Sequence, residues 1–270
     1  MSEAPYPADL YALLHRGTPG DLAFYSRQCA GASAVLELGC GYGRVLEALA
    51  RAGSRVLGLE RDGDLLALAA ARRRRLEAPA AQRIALVRGD MRHFELTRRF
   101  DRILIPHSGL YCLLSEADCT RCLECVAAHL TDDGLLILDA YAADSFHQLA
   151  EATTPLRTTP DPHWEDEEFE PLVSVEQNGR VYDVTEASRW TPAQQRLDVV
   201  YRYRPRDGGA PSDGHIPQRY LLASQLPGQF EAAGLQLLSL HGDFRGNPFR
   251  EDSEQLVAVA RLAPRSWSGR

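Results

Sequence analysis

A short stretch with three glycines constrains the fold of this chain more than any other feature. Residues 35–44 read VLELGCGYGR, a pattern that predicts a buried strand, a turn with glycines at positions 39, 41 and 43, and a helix over 45–52. Glycine has no Cβ, so the backbone can bend sharply there and a ligand can approach it closely. The first N–H groups of the helix face the same place. The stretch therefore predicts a site for a nucleotide-like ligand.

Glycine spacing decides between the common kinds of nucleotide site. A dinucleotide fingerprint needs G-x-G-x-x-G or a final alanine, but the third position is Arg44 if counted from Gly39 and Leu46 if counted from Gly41. A phosphate-binding P-loop needs a lysine, and the sequence contains none. What remains is E-x-G-x-G-x-G, with the acidic residue inside the strand.

Four more apolar strands are predicted after the glycine turn, and helical stretches separate them. The second covers 55–59 and ends at Glu60, and the third covers 84–87 and leads into Gly89, Asp90 and Met91. The fourth covers 100–106, and the fifth covers 134–139. Alternating strands and helices predict a parallel sheet with right-handed crossovers.

These motifs closely resemble, in type and in order, those of the class I S-adenosylmethionine-dependent methyltransferases. E-x-G-x-G-x-G resembles motif I of that family, Gly89-Asp90-Met91 its adenine site, and 100–106 its motif IV. The closing segment and the N-terminal Asp21, Phe24 and Tyr25 resemble a subgroup of bacterial small-molecule methyltransferases. The resemblance implies a Rossmann-like α/β fold: a seven-stranded, mostly parallel sheet with helices on both faces and a small antiparallel β insertion after strand five.

The family resemblance also implies the cofactor, S-adenosyl-L-methionine, and the product, S-adenosyl-L-homocysteine. An acid at the end of the second strand, here Glu60, reaches the ribose hydroxyls, because two adjacent hydroxyls can donate to one carboxylate. Asp90 accepts from the exocyclic amine of the adenine. The residues expected to bind the cofactor are Tyr25, Glu37, Gly39, Cys40, Gly41, Gly43, Glu60, Arg61, Asp90, Met91 and Pro106.

Catalytic residues are expected where the fourth and fifth strands end. Transfer of a methyl group from a sulfonium needs mainly in-line placement of the reactants, and a base only if the acceptor carries a proton. His107, directly after Pro106, is the candidate for orienting the acceptor or acting as general base. The alternative is that His107 closes the cofactor pocket through its backbone. Tyr111 is the second catalytic candidate, and Tyr141 is a candidate acceptor contact.

Three segments are predicted from where the alternation of strands and helices stops. Residues 1–30 form an N-terminal helical lid, residues 31–152 and 218–264 form the cofactor-binding α/β domain, and residues 153–217 form the antiparallel β insertion. Within the insertion, Asn178-Gly179 between alternating stretches predicts a hairpin. We expect the insertion to cover the acceptor, exclude water and set specificity.

Some candidate site residues lie outside the α/β domain. Tyr11, a candidate substrate contact, and Tyr25 either fold over the cofactor as part of the lid or pack in the core. His215 and Arg219, near the return from the insertion, are candidate substrate contacts.

Six cysteines raise the question of a metal site. Cys119, Cys122 and Cys125 lie in a stretch that predicts a helix over 116–130. Successive steps of three residues rotate by roughly 300° around a helix, so the thiols drift off a common face. Buried, reduced cysteines are therefore expected, and no metal.

Charge and hydropathy bear on partners and compartment. The net charge of −7 disfavours a protein that wraps nucleic acid, and the run of four arginines at 72–75 is expected to end a helix in solvent. The sequence shows neither a membrane span nor a signal peptide, which predicts a cytoplasmic protein without membrane partners. We also expect a monomer or a homodimer.

The predicted function is transfer of a methyl group to nitrogen or oxygen of a small-molecule acceptor. Two alternatives remain open from the sequence. One is a methyltransferase that acts on carbon or on a carboxyl group. The other is a cofactor-binding regulatory subunit without catalysis, although the intact Glu37, Glu60 and Asp90 argue against a degenerate site.

Overall fold

The computed structural model describes residues 6–153 and 168–264. The described helices are α1 (Ala8–Leu14), α2 (Asp21–Gln28), α3 (Arg44–Arg51), α4 (Gly63–Arg74), α5 (Ala78–Ala81), α6 (Glu116–His129), α7 (Asp144–Thr153) and α8 (Leu226–Ala232). The described strands are β1 (Val35–Leu38), β2 (Val56–Glu60), β3 (Ile84–Arg88), β4 (Phe100–Ile105), β5 (Leu130–Tyr141), β6 (Glu170–Gln177), β7 (Arg180–Thr191), β8 (Arg196–Pro205), β9 (Ser212–Arg219), β10 (Leu235–His241) and β11 (Gln255–Leu262).

Seven strands form a mostly parallel sheet in the order β10-β11-β5-β4-β1-β2-β3. Strands β1 to β5 pair in parallel, and β11 runs antiparallel between β5 and β10. The order reverses on either side of β1, so crevices open at the carboxyl ends of β1 and β4, where α/β sheets bind ligands. This sheet and the separate antiparallel one confirm the predicted Rossmann-like α/β fold with an antiparallel insertion.

The core of the seven-stranded sheet explains why its strands can be recognised in the sequence. All four residues of β1 are buried, and the last three of β4 are buried too. Strands buried on both faces read as continuous apolar runs rather than alternating ones. β5 begins four residues earlier than predicted, because Leu130 already pairs with Phe100 of β4.

Four strands form the second sheet, in the order β6-β7-β8-β9. Asn178 and Gly179 connect β6 to β7 with positive φ angles of 51° and 79°, which confirms the predicted hairpin. The sequence does not predict β9, because Gly214 and Pro217 interrupt its pattern. A proline is tolerated there because β9 is an edge strand and needs no donor on its outer side.

Contacts divide the chain into two compact units. One holds the described residues of Met1–Arg16 and Ala143–Leu221, and the other holds those of Gly17–Ala142 and Leu222–Arg270. Thus α1 is grouped with the antiparallel sheet, where Leu10 packs with Val184 and Tyr203. α2 is grouped with the seven-stranded sheet. The boundaries expected from the sequence at 30, 152 and 217 stay a prediction, and residues 154–167 of the expected insertion lie outside the described residues.

Ser224 has the residue type of a cap for the helix before Gly234, but a short 3-10 turn at Ala223–Gln225 comes first, so α8 begins only at Leu226.

In the described part of the chain, no helix is both long enough and apolar enough to cross a membrane.

Candidate functional site

The glycine turn between β1 and α3 is built on left-handed backbone. Gly39, Gly41 and Gly43 have φ angles of 65°, 53° and 81°, a region that side chains with a Cβ disfavour. A Cβ added at Gly39 or Gly41 would meet no atom within 4 Å, so the space beside these two residues is open. At Gly43 it would lie 3.1 Å from the Cβ of Ala69. The first two glycines therefore leave room for a ligand, and the third allows α3 and α4 to pack closely.

Glu37 points from β1 into the interior next to this turn. Its side chain is 3% exposed, and its Oε2 atom has no hydrogen-bond partner among the described residues. Burial raises the pKa of Glu37 well above its ordinary value, and the positive charge of Arg44 opposes that rise. A buried carboxylate oxygen without a donor is costly, and it is ready to accept one from a ligand or a water molecule.

The carboxylate of Glu60, at the end of β2, contacts the backbone on both sides. Oε2 accepts the N–H of Gly41 over 2.9 Å, and Oε1 accepts the N–H of Asp62 over 2.8 Å. Asp62 in turn caps α4 by accepting the N–H groups of Asp64 and Leu65. Glu60 therefore joins the glycine turn to the start of the next helix.

Asp90, after β3, is held by an arginine two positions later. The Nε of Arg92 donates to both carboxylate oxygens, and Nη2 lies 2.6 Å from Oδ2. These hydrogen bonds lower the pKa of Asp90 to about 2. Arg92 also pairs with Asp118 of α6, 3.4 Å away. Asp90 is therefore ionised throughout the physiological range and keeps a fixed orientation.

The turn after β4 has an uncommon backbone. His107 and Ser108, which are not glycines, have consecutive φ angles of 53° and 59°. The backbone N–H of His107 donates to Oδ1 of Asp139 over 3.0 Å, and that of Ser108 donates to the Asp139 carbonyl over 2.9 Å. Burial lowers the pKa of His107, and the charge of Arg44 lowers it further. The imidazole is therefore neutral at pH 7, as a general base must be.

Tyr25, on α2, is fully buried, and its hydroxyl donates to Oδ1 of Asp139 over 2.5 Å. Tyr25 is packed in the interior, and its predicted contact with the cofactor stays a prediction. Burial raises the pKa of Asp139 to about 6, although the hydrogen bonds from Tyr25 and His107 oppose the rise.

Tyr111 and Tyr141 contact each other next to the same turn. The hydroxyl of Tyr111, 2% exposed, donates to the carbonyl of Tyr141 over 3.2 Å, and the two rings meet edge to face. The N–H of Tyr141 donates to Oγ of Ser108 over 3.3 Å. The structure thus brings the catalytic candidates His107 and Tyr111 onto one short segment that rests on the end of β5.

A buried ion pair lies on the other side of the glycine turn. Arg44, the first residue of α3, makes two hydrogen bonds with Asp21 of α2, at 3.0 and 2.5 Å. Both side chains are largely buried. Gly17 leaves space for the guanidinium, since a Cβ there would lie 2.2 Å from it. The pair joins α2 to the helix that follows the glycine turn.

The remaining predicted cofactor residues surround the glycine turn more loosely. Cys40 is buried, and a Cβ on Gly58 of β2 would lie 2.7 Å from its Sγ. Arg61 is exposed, and its carbonyl accepts from Arg88. Met91 is half-buried, and Pro106 is buried.

Three predicted substrate residues belong to the other compact unit. Tyr11 packs on Tyr6 and His15, with ring centroids 5.3 and 4.3 Å apart. His215 lies in β9, opposite Val200 of β8. Arg219 ends β9, and its Nη1 atom is buried without a hydrogen-bond partner among the described residues. The roles of these residues stay predictions.

Cysteines 119 and 122 are buried in α6, and Cys125 is half-buried. Across residues 6–153 and 168–264, no three side chains of His, Cys, Asp or Glu lie close enough to hold a metal ion. The expectation of no metal stays a prediction.

Several residues that shape the site are not among those predicted from the sequence. Asp139 ends the apolar run of β5 just as Glu60 ends β2, so the same signal could have found it. Arg92 follows the Asp90-Met91 pair, but nothing in the spacing predicts that it folds back onto Asp90. The pairing of Asp21 with Arg44 depends on packing between α2 and α3, which a local pattern does not reveal.

Comparison with known proteins agrees with this geometry. A family model described as a methyltransferase domain matches residues 35–134. A dTDP-3-amino-3,6-dideoxy-α-D-glucopyranose N,N-dimethyltransferase of Streptomyces fradiae is 34% identical over 142 residues, which is 50% of this chain and 52% of that protein. The chain spans about half the length of the curated relatives it matches.

Solved structures match over nearly the whole chain. The CcbJ methyltransferase from Streptomyces caelestis superposes with a TM-score of 0.78 at 24% identity, covering 96% of this chain and 97% of that one. CalS10, an amino pentose methyltransferase from Micromonospora echinaspora solved with S-adenosylmethionine bound, gives 0.64 at 21% identity, covering 97% and 100%. At these identities the likeness establishes the fold. Residues 35–134 therefore match a methyltransferase domain, and the chain shares the fold of these methyltransferase structures.

Proposed function

We propose that this protein transfers a methyl group from S-adenosylmethionine to a nitrogen atom of a small-molecule acceptor. The observation that carries the proposal is the open space beside Gly39 and Gly41, next to the unpartnered Oε2 atom of Glu37. The relatives support the nitrogen acceptor, because two curated ones are named N,N-dimethyltransferases of amino sugars. Nitrogen is favoured over oxygen for this reason.

The residues at the site fit S-adenosylmethionine. The backbone at Gly39 and Gly41 can be approached without obstruction. The cofactor's ammonium group would supply a donor for the buried Oε2 atom of Glu37, which has none among the described residues. Glu60 and Asp90 are acids at the ends of neighbouring strands β2 and β3, and they would accept from the ribose hydroxyls and the adenine amine respectively. Arg61, Met91, Cys40 and Pro106 would line the same pocket.

When bound, the cofactor supplies a sulfonium-activated methyl group. The protein's contribution is to hold the acceptor in line with it, because orientation alone is worth roughly 7–11 kcal/mol in well-aligned reactions. An amine at neutral pH is largely protonated and must lose a proton to attack. His107 is kept neutral by burial and could take that proton through its imidazole. Tyr111 would fix the position of His107's segment through its hydrogen bond to Tyr141.

The acceptor is proposed to be a small molecule that carries an amine, such as an amino sugar attached to a nucleotide. Tyr11, Tyr141, His215 and Arg219 are proposed as its contacts, and the segment 153–217 as the part of the chain that covers it. An arginine with a buried, unpartnered Nη1 would suit an anionic group on such a substrate. We further propose that the enzyme acts in the cytoplasm, as a monomer or homodimer, and without nucleic acid or membrane partners.

Cofactor choice is tested first, because it needs no acceptor. A ligand at 100 times its Kd stabilises the folded state by about 2.7 kcal/mol, so S-adenosylmethionine and S-adenosylhomocysteine should raise the Tm by several degrees. NAD and NADP are the controls and should leave it unchanged. A rise with NAD alone would contradict the proposal.

The acceptor is then tested by product formation. The purified chain is incubated with S-adenosylmethionine and nucleotide-linked amino sugars, and S-adenosylhomocysteine is quantified together with the mass of the sugar product. Matched sugars with a hydroxyl in place of the amine are the control. Methylation of the hydroxyl sugars, or of neither set, would overturn the nitrogen assignment.

A further inference from the structure

The segment that carries His107 is held in an uncommon backbone conformation by the end of β5. His107 and Ser108 both have positive φ, which residues with a Cβ adopt only when their surroundings impose it. Three hydrogen bonds impose it here: His107 N–H to Oδ1 of Asp139, Ser108 N–H to the Asp139 carbonyl, and Tyr141 N–H to Oγ of Ser108. Only the first depends on the Asp139 side chain.

The Asp139 carboxylate is itself held by Tyr25. The hydroxyl of Tyr25 donates over 2.5 Å to Oδ1, the same oxygen that accepts from His107. Tyr25 has no exposed surface, and Asp139 is 3% exposed. The ring of Tyr25 is fixed by Phe24, which packs edge to face on it and on Phe244. A buried tyrosine thus fixes the oxygen that holds the backbone of His107.

We propose that Tyr25 and Asp139 act as a positioning pair: they hold the His107–Tyr111 segment in its reactive conformation, and they do so most strongly when Asp139 is ionised. A charged acceptor makes stronger hydrogen bonds than a neutral one, so ionised Asp139 would hold the N–H of His107 more firmly than its protonated form. The link to catalysis rests on the proposed function, whereas the link to backbone conformation does not.

Burial and neighbouring groups set the pKa of Asp139. Burial raises its pKa to about 6, well above the ordinary value of 3.8, and nearby Asp21 raises it as well. The hydrogen bonds from Tyr25 and His107 and the charge of Arg44 lower it. On β11, the residue opposite Asp139 is the apolar Val257. The titratable or charged groups that face the pair are Asp21 and Tyr25 on α2, Glu37 on β1, Arg44 on α3 and His107 after β4.

Hydrogen exchange of the cofactor-free protein tests the conformational part. Protection factors of the His107 amide, which correct for the intrinsic pH dependence of exchange, are measured from pH 5 to pH 8. In the wild type we expect constant protection above pH 7 and a decline as pH falls through about 6. Tyr25→Phe should lower protection at pH 8 by about tenfold. Asp139→Asn should give the same low protection as the wild type at pH 5, at every pH.

A matched control separates this role from loss of any buried hydroxyl. Tyr220 is 1% exposed, and its hydroxyl is 2.7 Å from Nδ1 of His147. Tyr220→Phe should leave protection of the His107 amide unchanged. Asp139→Asn preserves shape and an acceptor oxygen, so it tests the proposal even if Tyr25→Phe fails to fold. Wild-type protection at pH 8 in Asp139→Asn, or a pH dependence that survives in it, would overturn the proposal.

The catalytic part is read from kinetics once an acceptor is found. Asp139→Asn should lower kcat about tenfold, while the calorimetric Kd for S-adenosylmethionine changes less than threefold. If the pair only supported folding, kcat and the amount of S-adenosylmethionine bound would fall together, in proportion to the fraction of folded protein. If the wild type transfers no methyl group to any acceptor, the proposed function fails, and the exchange experiment still decides whether the pair positions His107.

Discussion

The carboxylate of Glu60 accepts the backbone N–H of Gly41, so the acid that ends β2 directly contacts the glycine turn that follows β1. The two strands are neighbours in the sheet, with Leu38 opposite Leu59. The other oxygen of Glu60 accepts the N–H of Asp62. Glu60 therefore has a role before any ligand arrives: it orients the turn that a cofactor would approach.

Removal of the Glu60 carboxylate should weaken cofactor binding in two ways. Glu60→Ala loses the proposed acceptor for the ribose and leaves the N–H of Gly41 without its partner. We expect S-adenosylmethionine affinity to fall by one to two orders of magnitude, about 1.4–3 kcal/mol. Isothermal titration calorimetry measures it, with Glu124→Ala on the exposed face of α6 as control. An unchanged Kd in Glu60→Ala would remove Glu60 from the cofactor site.

Arg92 should determine how the Kd for S-adenosylmethionine changes at low pH. It lowers the pKa of Asp90 to about 2, so protonation of Asp90 should contribute little to any change in the wild-type Kd for S-adenosylmethionine above about pH 4. Without the arginine side chain, the pKa of Asp90 rises toward its ordinary value of 3.8, although the backbone N–H at position 92 and the charge of His93 still lower it. In Arg92→Met the affinity should therefore decline relative to the wild type as pH falls below about 4.5.

The control for Arg92 is a neighbouring arginine that shares one of its partners. Arg121 also pairs with Asp118 but does not contact Asp90 through any described hydrogen bond, and its side chain is 53% exposed. Arg121→Met should keep the wild-type pH profile of the Kd. Identical profiles for Arg92→Met and the wild type would show that Asp90 does not bind the cofactor through its charge.

His107 should affect turnover more than cofactor binding. If its imidazole takes the proton of the acceptor, its loss should lower kcat about 10²-fold and change the Kd for S-adenosylmethionine less than threefold. His107→Asn is the better variant, because asparagine tolerates positive φ and preserves the turn. His107→Ala adds backbone strain and should lower kcat further. Equal losses of kcat and affinity in His107→Asn would mean that His107 only closes the pocket.

The inner strands β1, β2 and β4 of the seven-stranded sheet could be predicted from the sequence because most of their residues are buried. β1 ends just before Gly39 and β2 ends at Glu60, and those ends are where the candidate site forms. Glu37, Glu60 and Asp90 could be placed for this reason. β9 could not, because an edge strand tolerates the glycine and proline that erase its pattern.

Side-chain pairing within the site could not be predicted in the same way. Tyr25 and Asp139 are separated by 114 residues, and Asp21 and Arg44 by 23. Their pairing follows from the packing of α2 on the sheet and on α3, which no local spacing encodes. The consecutive positive φ angles at His107 and Ser108 are imposed by the same tertiary contacts.

The buried pair of Asp21 and Arg44 should be a major source of stability for the unit that holds the seven-stranded sheet. Asp21→Ala leaves a largely buried guanidinium without its partner, which typically costs about 3–5 kcal/mol. Urea unfolding at pH 7 measures the loss. Arg51→Gln removes an exposed pair with Glu47 and is the control, with an expected change below about 1 kcal/mol. A loss as small as the control's would show that water solvates Arg44 once Asp21 is gone.

Asp139 should make the protein less stable as pH rises, the reverse of most aspartates. Its pKa is about 6 in the folded protein and near 3.8 when unfolded, so between these values the folded state holds more protons. Stability contributed by the protonated carboxyl is present below pH 4 and lost as pH rises through about 6. That loss amounts to about 3 kcal/mol by linkage. An asparagine side chain is neutral at every pH, so the Asp139→Asn variant should gain stability relative to the wild type over this window.

Urea unfolding of both proteins at pH 4, 5, 6 and 7 measures that gain, and contributions from other titrating groups cancel in the difference. Asp133→Asn, on an exposed side chain, is the control and should show only a small difference in stability. A gain in stability for Asp139→Asn together with weaker protection of His107 would mean that the ionised carboxylate is retained at a cost to folding because it positions the segment after β4. A difference that stays constant from pH 4 to pH 7 would mean that Asp139 titrates alike in the folded and unfolded chain.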